Sequence, residues 1–274
     1  MNGTIQNLLA HPAIQGGVAP FIVGALVAAL AQPVRLARLA PAAGFLAGVY
    51  LIGNFAFEPL TATRKIVLLG AAAPLVGLIV DVAFRPGRAF GIVLGAIFGA
   101  ASLWAFWTVL GQRPLPQAAL HGTGIVALVV LIVALTTALR ADPVRAGAAG
   151  LGLGLGVGAG AVIGASALIG QYGTSLGAAA GGFVLVVTIL GRRVAAGSAF
   201  TLSVSVTAAL LAVGAVLLAK FPWYAALALA LVPVAVRLPL PRGAHPAPQV
   251  LVASMYSLAA AAAACTLAWM ASRA

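Results

Sequence analysis

The 274-residue chain is 63% hydrophobic and 7% charged, with fifteen Lys and Arg against three Asp and Glu. Soluble domains carry about a quarter charged residues, and one core in water has too little volume to hide so much apolar surface, so the solvent of this chain is lipid. The net charge of +12 does not point to nucleic acid, because no basic run exceeds two consecutive residues.

Each membrane-spanning helix takes roughly 20 apolar residues, which leaves room for about ten and little else. Apolar stretches fall at 13–32, 39–57, 66–84, 89–110, 117–139, 146–169, 174–191, 198–219, 222–237 and 248–271. Pro, Gly and charged breaks separate them, among them Glu58-Pro59, Arg113-Pro114, Asp142-Pro143 and Lys220-Phe221-Pro222. In lipid the alternative to helices is a closed barrel, whose strands alternate apolar and polar residues; these runs are too long and too continuously apolar for that. The expected fold class is an all-α integral membrane protein, a polytopic bundle of about ten transmembrane helices forming one transmembrane domain over 1–274.

No basic segment precedes the first stretch, so a cleaved signal peptide is not expected. The loop after the second stretch runs from Asn54 to Lys65 and holds the only Glu of the chain, Glu58, with Thr61, Thr63, Arg64 and Lys65. Arg64 and Lys65 open the third stretch, where a helix N-terminus also favours anions, so a polar vestibule or anionic-ligand site is one reading. The other is local: Glu58 pairs with Arg64 or Lys65, and Thr61 or Thr63 caps the helix. Asp81, near the end of the third stretch, stands four residues before Arg85, on the same helix face. Acidic groups inside membranes are functional candidates by default, so Asp81 and Arg85 read either as an interfacial ion pair or as an ion-coupling site.

Trp104 and Trp107 in the fourth stretch read as interfacial belt residues. His121 opens the fifth, beside Gly122 and Gly124, and is assigned to the same vestibule. In the sixth stretch Gly150, Gly154 and Gly158 form one small-residue series, and Gly152, Gly156 and Gly160 a second. At 100° per residue the two lie about 160° apart. Small residues let backbones approach closely, so this helix is expected to sit between two near neighbours. Gln171 joins the candidate vestibule, and Tyr172, Lys220, Trp223 and Tyr224 mark the same boundary. Thr201, Ser203, Ser205 and Thr207 put hydroxyls along the eighth stretch, either as helix glue or as a mildly polar lining. Cys265, the single cysteine, reads as a small buried hydrophobe, which excludes a disulfide and a cysteine-based metal site.

The odd-numbered loops hold ten of the fifteen cations: Arg35, Arg38, Arg85, Arg88, Arg140, Arg145, Arg192, Arg193, Arg237 and Arg242. Cytoplasmic loops carry the Lys and Arg excess, so these loops are expected inside and both termini on the non-cytoplasmic side. Pro33-Val34-Arg35 recurs as Pro143-Val144-Arg145, and Leu51-Ile52-Gly53-Asn54 recurs as Leu168-Ile169-Gly170-Gln171. Both spacings suggest a weak four-helix parallel internal repeat.

Three acids, scattered histidines (His11, His121, His245) and one buried thiol give little for catalysis, so an enzyme, a cofactor and a metal site are not expected. Two functions remain. One is a permease or channel-like transporter of a small solute, without a midplane carboxylate for ion coupling. The other is a non-catalytic membrane subunit or scaffold. Lipids are the first partners, with other integral membrane proteins or a second copy of the chain beside them. An Arg-, Ala- and Gly-rich composition points to a bacterial inner membrane.

Overall fold

The computed structural model describes residues 11–55, 58–84, 87, 89–191, 194–241 and 245–273, and its regular structure there is entirely helical. Ten segments follow one another: α1 (Ile14–Leu30, opening with a π turn), α2 (Ala37–Gly53), α3 (Ala62–Ala83), α4 (Phe90–Leu110), α5 (Leu115–Thr137), α6 (Pro143–Ile163), α7 (Ala167–Leu190), α8 (Gly197–Leu218), α9 (Trp223–Ala235) and α10 (Pro246–Arg273). Seven of these, α3 to α8 and α10, are 21–28 residues long and apolar enough to cross a membrane; α1, α2 and α9 are shorter. The protein is a polytopic helical membrane protein.

Local chemistry explains the short segments. The stretch expected to reach residue 57 stops at Gly53, because Asn54 turns left-handed (φ 53°, ψ 45°) while its N–H still reaches the Tyr50 carbonyl. Asn is one of the few residues that tolerate this conformation. In α9, Pro233 has no N–H for the carbonyl of Leu229, and the helix passes through a 3-10 turn at Leu229–Leu231. Elsewhere the chain supplies its own starts. Thr61 caps α3 and Ser166 caps α7. Asp142 caps α6, accepting from Val144 N at 3.1 Å and Arg145 N at 3.4 Å. Asp142→Ala is expected to lower stability by about 1 kcal/mol through loss of that cap, read as a small downward shift in thermal unfolding in detergent.

Lateral ties show that the segments run between the same two ends. At one end Arg38 meets Asp81, Arg145 Nη1 donates to the Val236 carbonyl at 2.8 Å, and Arg237 Nη2 donates to the Leu135 carbonyl at 2.9 Å. At the other, Gln15 Nε2 donates to the Leu51 carbonyl at 2.9 Å, Lys65 Nζ to that of Trp104 at 3.3 Å, and Lys220 N to that of Gly164 at 2.9 Å. These are the Asp81 end and the Arg64 end below. Successive helices alternate in direction, and α10 lies parallel to α6, with Ser257 beside Gly152 and Ala261 beside Gly156.

The bundle is organised around α8, in which every residue from Ser198 to Ala215 is buried. α6 is the next most enclosed. Its Gly154 and Gly158 face the backbone of α7, and Gly150 meets Ala180 of α7 and Val204 of α8. Gly152 and Gly156 face α10, and Gly160 meets the Phe221 ring. Large side chains such as Leu30, Val82, Trp107 and Leu115 form the outer surface, as lipid requires.

The repeated short segments do not occupy equivalent places. Leu51–Asn54 closes α2, whereas Leu168–Gln171 opens α7; Pro33–Arg35 is a loop, whereas Pro143–Arg145 is the first turn of α6. The packing has a different regularity. Moving each helix by five positions carries the α1–α2 pair onto α6–α7 and α4–α5 onto α9–α10, and returns α2–α7 and α3–α8 to themselves. The α1–α7, α5–α8, α6–α10, α6–α8 and α2–α8 contacts have no counterpart under that shift, so it describes only part of the packing. An odd shift in an alternating bundle relates segments of opposite direction.

Candidate functional site

At the Arg64 end, α2, α3 and α7 part around a cavity of about 370 Å³ whose lining includes Val49, Phe55, Thr63, Arg64, Leu168 and Tyr172. Its shape follows from the break between α2 and α3. Asn54 and Phe55 both have positive φ, so the chain folds back at the end of α2, with the Phe55 ring against Tyr50 at 5.5 Å between centroids. Pro59 and Thr61 then set the start of α3: Thr61 Oγ1 accepts from Arg64 N at 3.4 Å, and Arg64 Nη1 donates to the Pro59 carbonyl at 2.6 Å. That bond holds a guanidinium over the cavity in the first turn of α3, where the helix dipole disfavours a cation. From the opposite wall Tyr172 reaches across α2; its hydroxyl lies where a Cβ on Gly53 would meet it at 3.4 Å. The Tyr172 ring stands edge-on to the buried Phe45 ring, 6.1 Å away between centroids.

Of the residues assigned to a vestibule from the sequence, Arg64 lines this cavity and its neighbours are close at hand. Asn54 is the left-handed cap of α2, and Glu58 is exposed on the loop. Among the described residues the ion pairs are Arg38–Asp81 and Asp142–Arg145, so Glu58 pairs with neither Arg64 nor Lys65. Lys65 turns away to α4, with its ammonium 4.8 Å from the centre of the Trp104 ring. Gln171 lines a separate cleft between α1 and α7, with Gly16 and Thr174.

His121 is elsewhere. Its Nε2 lies 2.6 Å from Arg113 Nη1 and its Nδ1 2.7 Å from the Gln117 carbonyl. Arg can only donate, so Nε2 accepts and Nδ1–H donates, which defines a neutral tautomer. The groove beside it, lined by Leu103, Trp107, Leu110, Arg113 and Ala118, is larger, about 520 Å³, but almost wholly apolar. Its one cation is the arginine already bonded to His121.

Asp81 is paired, but across helices. Arg38, at the start of α2, donates from Nη1 to Oδ2 at 2.6 Å. The same carboxylate accepts from Ser198 N at 2.8 Å and Ala199 N at 3.3 Å. Arg85, the expected i,i+4 partner, lies outside the described residues. In the sequence Arg38 is one more topology-setting charge, and no local spacing links it to Asp81. Tyr172 reads there as a boundary aromatic, with its place one residue after Gln171 as the only signal.

Among the described residues no group of three or more His, Cys, Asp or Glu stands close enough to hold a metal ion. What the helices and their surfaces define is a class, the multi-pass helical membrane protein. Compared with protein-family models, curated proteins and solved structures, the chain matches none.

Proposed function

We propose that the protein is a permease for a small solute, that the cavity among α2, α3 and α7 is its mouth, and that the solute presents a carbonyl or carboxyl oxygen to Arg64. The observation that carries this reading is the state of Arg64. It is half-buried, lacks a counter-charge among the described residues, and is held in the cavity wall against its own helix dipole by the Pro59 carbonyl. Thr63 and the Tyr172 hydroxyl add neutral hydrogen-bonding groups around it, and Val49, Val67 and Leu168 accept an apolar body.

Loop charge supports the orientation. The loops at the Asp81 end carry ten of the fifteen cations, so that end is cytoplasmic and the mouth and both termini face outward, in a bacterial inner membrane. Of the three acids, Glu58 lies on the α2–α3 loop and Asp81 and Asp142 lie at helix ends. Facilitated movement without an ion-coupling carboxylate at the midplane fits that distribution.

The test is uptake of a panel of small carbonyl- and carboxyl-bearing solutes into proteoliposomes. Arg64→Ala is expected to reduce uptake of the transported solute about tenfold or more, and Arg64→Lys to restore part of it, since a point charge replaces a planar fork. Uptake by Arg64→Ala equal to wild type for every transported solute would remove the mouth from this position. Stoichiometric recovery with another integral membrane protein in mild detergent, with no uptake of any solute, would favour a subunit role instead.

A further inference from the structure

The seam between α4 and α5 is tight at one end and open at the other. Gly91, Gly95, Gly99, Leu103 and Trp107 follow one another along one i, i+4 ridge of α4. A Cβ on Gly91 would lie 3.1 Å from the Ala134 Cα, one on Gly95 2.8 Å from the Val130 Cα, and one on Gly99 3.4 Å from the Val126 Cα. The two backbones are therefore in contact from the Asp81 end to the middle of the bundle. Beyond Gly99 the ridge changes from glycine to Leu and Trp, while α5 offers the small residues Ala118 and Gly122. A Cβ on Gly122 would meet the tip of Leu103, its Cδ2, at 3.5 Å. The helices have parted by the length of a side chain, and the groove of about 520 Å³ lies in the split.

Charge in this groove is confined to one end. Thr123, on its wall, already donates its hydroxyl to the Ala119 and Leu120 carbonyls of its own helix. Arg113 sits in the loop joining the two helices and lines the groove there, braced through Nη1 by His121 Nε2. The rest of its guanidinium has no protein partner among the described residues, and neither ion pair among them includes it. Trp107 and Leu115 are exposed on the rim, so the groove opens sideways onto the lipid-facing surface. At this end of the bundle Glu58 is the one described acid, against Arg64, Lys65, Arg113, Lys220 and Arg273.

We infer that this groove binds one anionic phospholipid from the leaflet at the Arg64 end, with its phosphate on Arg113 and an acyl chain laid between α4 and α5. A guanidinium offers paired N–H donors to phosphate oxygens, and a loop between two spanning helices stands at the level of the head groups. Below it, Leu103, Trp107, Leu110 and Ala118 present an apolar wall that suits a hydrocarbon chain and leaves a polar solute without partners. The depth fits as well. From Gly99, where the seam closes, α4 rises about 16 Å to Leu110, half of a hydrocarbon core of roughly 30 Å, so the split is one leaflet deep. The site shares no lining residue with the mouth and does not depend on the permease reading.

The test uses Trp107 as its reporter. One protein keeps Trp107 as its single tryptophan, through Trp104→Phe, Trp223→Phe and Trp269→Phe; a second keeps Trp269 instead. Trp269 is also an exposed ring with a cation beside it, Arg273 at 3.6 Å, but lies outside the groove. Both are reconstituted in phosphatidylcholine vesicles holding increasing fractions of phosphatidylglycerol with brominated chains, which quench a ring they touch. Trp107 is expected to be half-quenched at a fraction about fivefold lower than Trp269, the gain from one anionic charge beside one basic side chain. Arg113→Gln, which removes the charge, and Ala118→Phe, which fills the groove and keeps the charge, should each bring the two rings to within about twofold of one another. Equal half-quenching of Trp107 and Trp269 without these substitutions would overturn the site. A preference that persists in Arg113→Gln would overturn the phosphate contact, and one that persists in Ala118→Phe would overturn the groove. Should Arg113→Gln not fold, Ala118→Phe decides. Trp107 shielded from brominated phosphatidylglycerol and brominated phosphatidylcholine alike, while Trp269 is quenched, would mean that protein covers the groove, a second copy of the chain, and no lipid.

Discussion

Gly154→Ala is expected to cost about 3 kcal/mol of stability, toward the upper end for overpacking, and Gly154→Val to leave little folded protein in detergent. A Cβ at position 154 would lie 2.2 Å from Gly177 N and 2.4 Å from its Cα. Both are backbone atoms of α7, so no rotamer change can relieve the clash and the two helices must move apart. Moving them breaks a run of such contacts, because Gly173 would meet Gly158 N at 2.5 Å and Gly177 would meet Leu155 N at 2.7 Å. Between helices in lipid, close packing is the main attraction. Each glycine inside a helix also costs about 0.5–1 kcal/mol relative to alanine, so so many in α6 are affordable only because the approach returns more. Gly17→Ala, where nothing lies within 4 Å, is the control and should melt no lower than wild type. Thermal unfolding followed by circular dichroism reads both. Equal melting of Gly154→Ala and wild type would mean that α6 and α7 are not in backbone contact.

Those glycines also mark the boundary of what could be read before the structure. The two rows of α6 are visible as rows, because helical periodicity is a local property, and so are most segment positions. The neighbours each row faces are not local: α7 and α10 come from anywhere along the chain as far as residues 150–160 are concerned. Segment ends were misplaced where one residue decides them. Asn54 ends α2 by turning left-handed, a choice that the apolar residues on either side of it, Ile52 and Phe55, conceal.

The candidate site divides along the same line. The Asn54–Lys65 loop stood out because it gathers Glu58, Thr61, Thr63, Arg64 and Lys65 in a chain nearly devoid of charge, and the cavity does lie beside it. His121 and Gln171 shared only a predicted membrane boundary with that loop, and a boundary is a plane, not a place. His121 is bound up with Arg113 and Gln117 at α5, and Gln171 lines a cleft with α1. Tyr172 enters the cavity because α7 packs on α2, which no spacing within either helix foretells. Four hydroxyls on α8 were legible as a group, whereas the division between Thr201, bonded to its own helix, and Thr207, turned toward Gly70, required the partner helix.

Asp81→Asn is expected to lower stability by about 3 kcal/mol, and Asp81→Ala by more, because Asp81 does two jobs at once. The first is to balance Arg38, whose side chain is 16% exposed against 10% for Asp81 itself. Without the carboxylate a nearly buried guanidinium loses its counter-charge, keeping only the Arg35 carbonyl, to which its Nε donates at 2.6 Å. The second is to start α8. The residue at its N-cap position is Ala196, which has no side-chain oxygen, so the first amides of the most buried helix in the bundle lack a local acceptor. Asp81 supplies one from α3, binding Ser198 N and Ala199 N and placing a negative charge at the positive end of the helix. Asparagine keeps one acceptor oxygen and loses the charge; alanine loses both. A double-mutant cycle with Arg38→Met separates the two jobs. Removing Arg38 from the Asp81→Asn protein should restore part of the loss, a coupling of about 1–3 kcal/mol, since the unbalanced cation is then gone. It should leave the Asp81→Ala protein the less stable of the two double mutants, because its α8 amides remain open. Strict additivity in both cycles would show that Arg38 and Asp81 do not act on each other, and equal stability of the two double mutants would show that α8 does not depend on the borrowed cap.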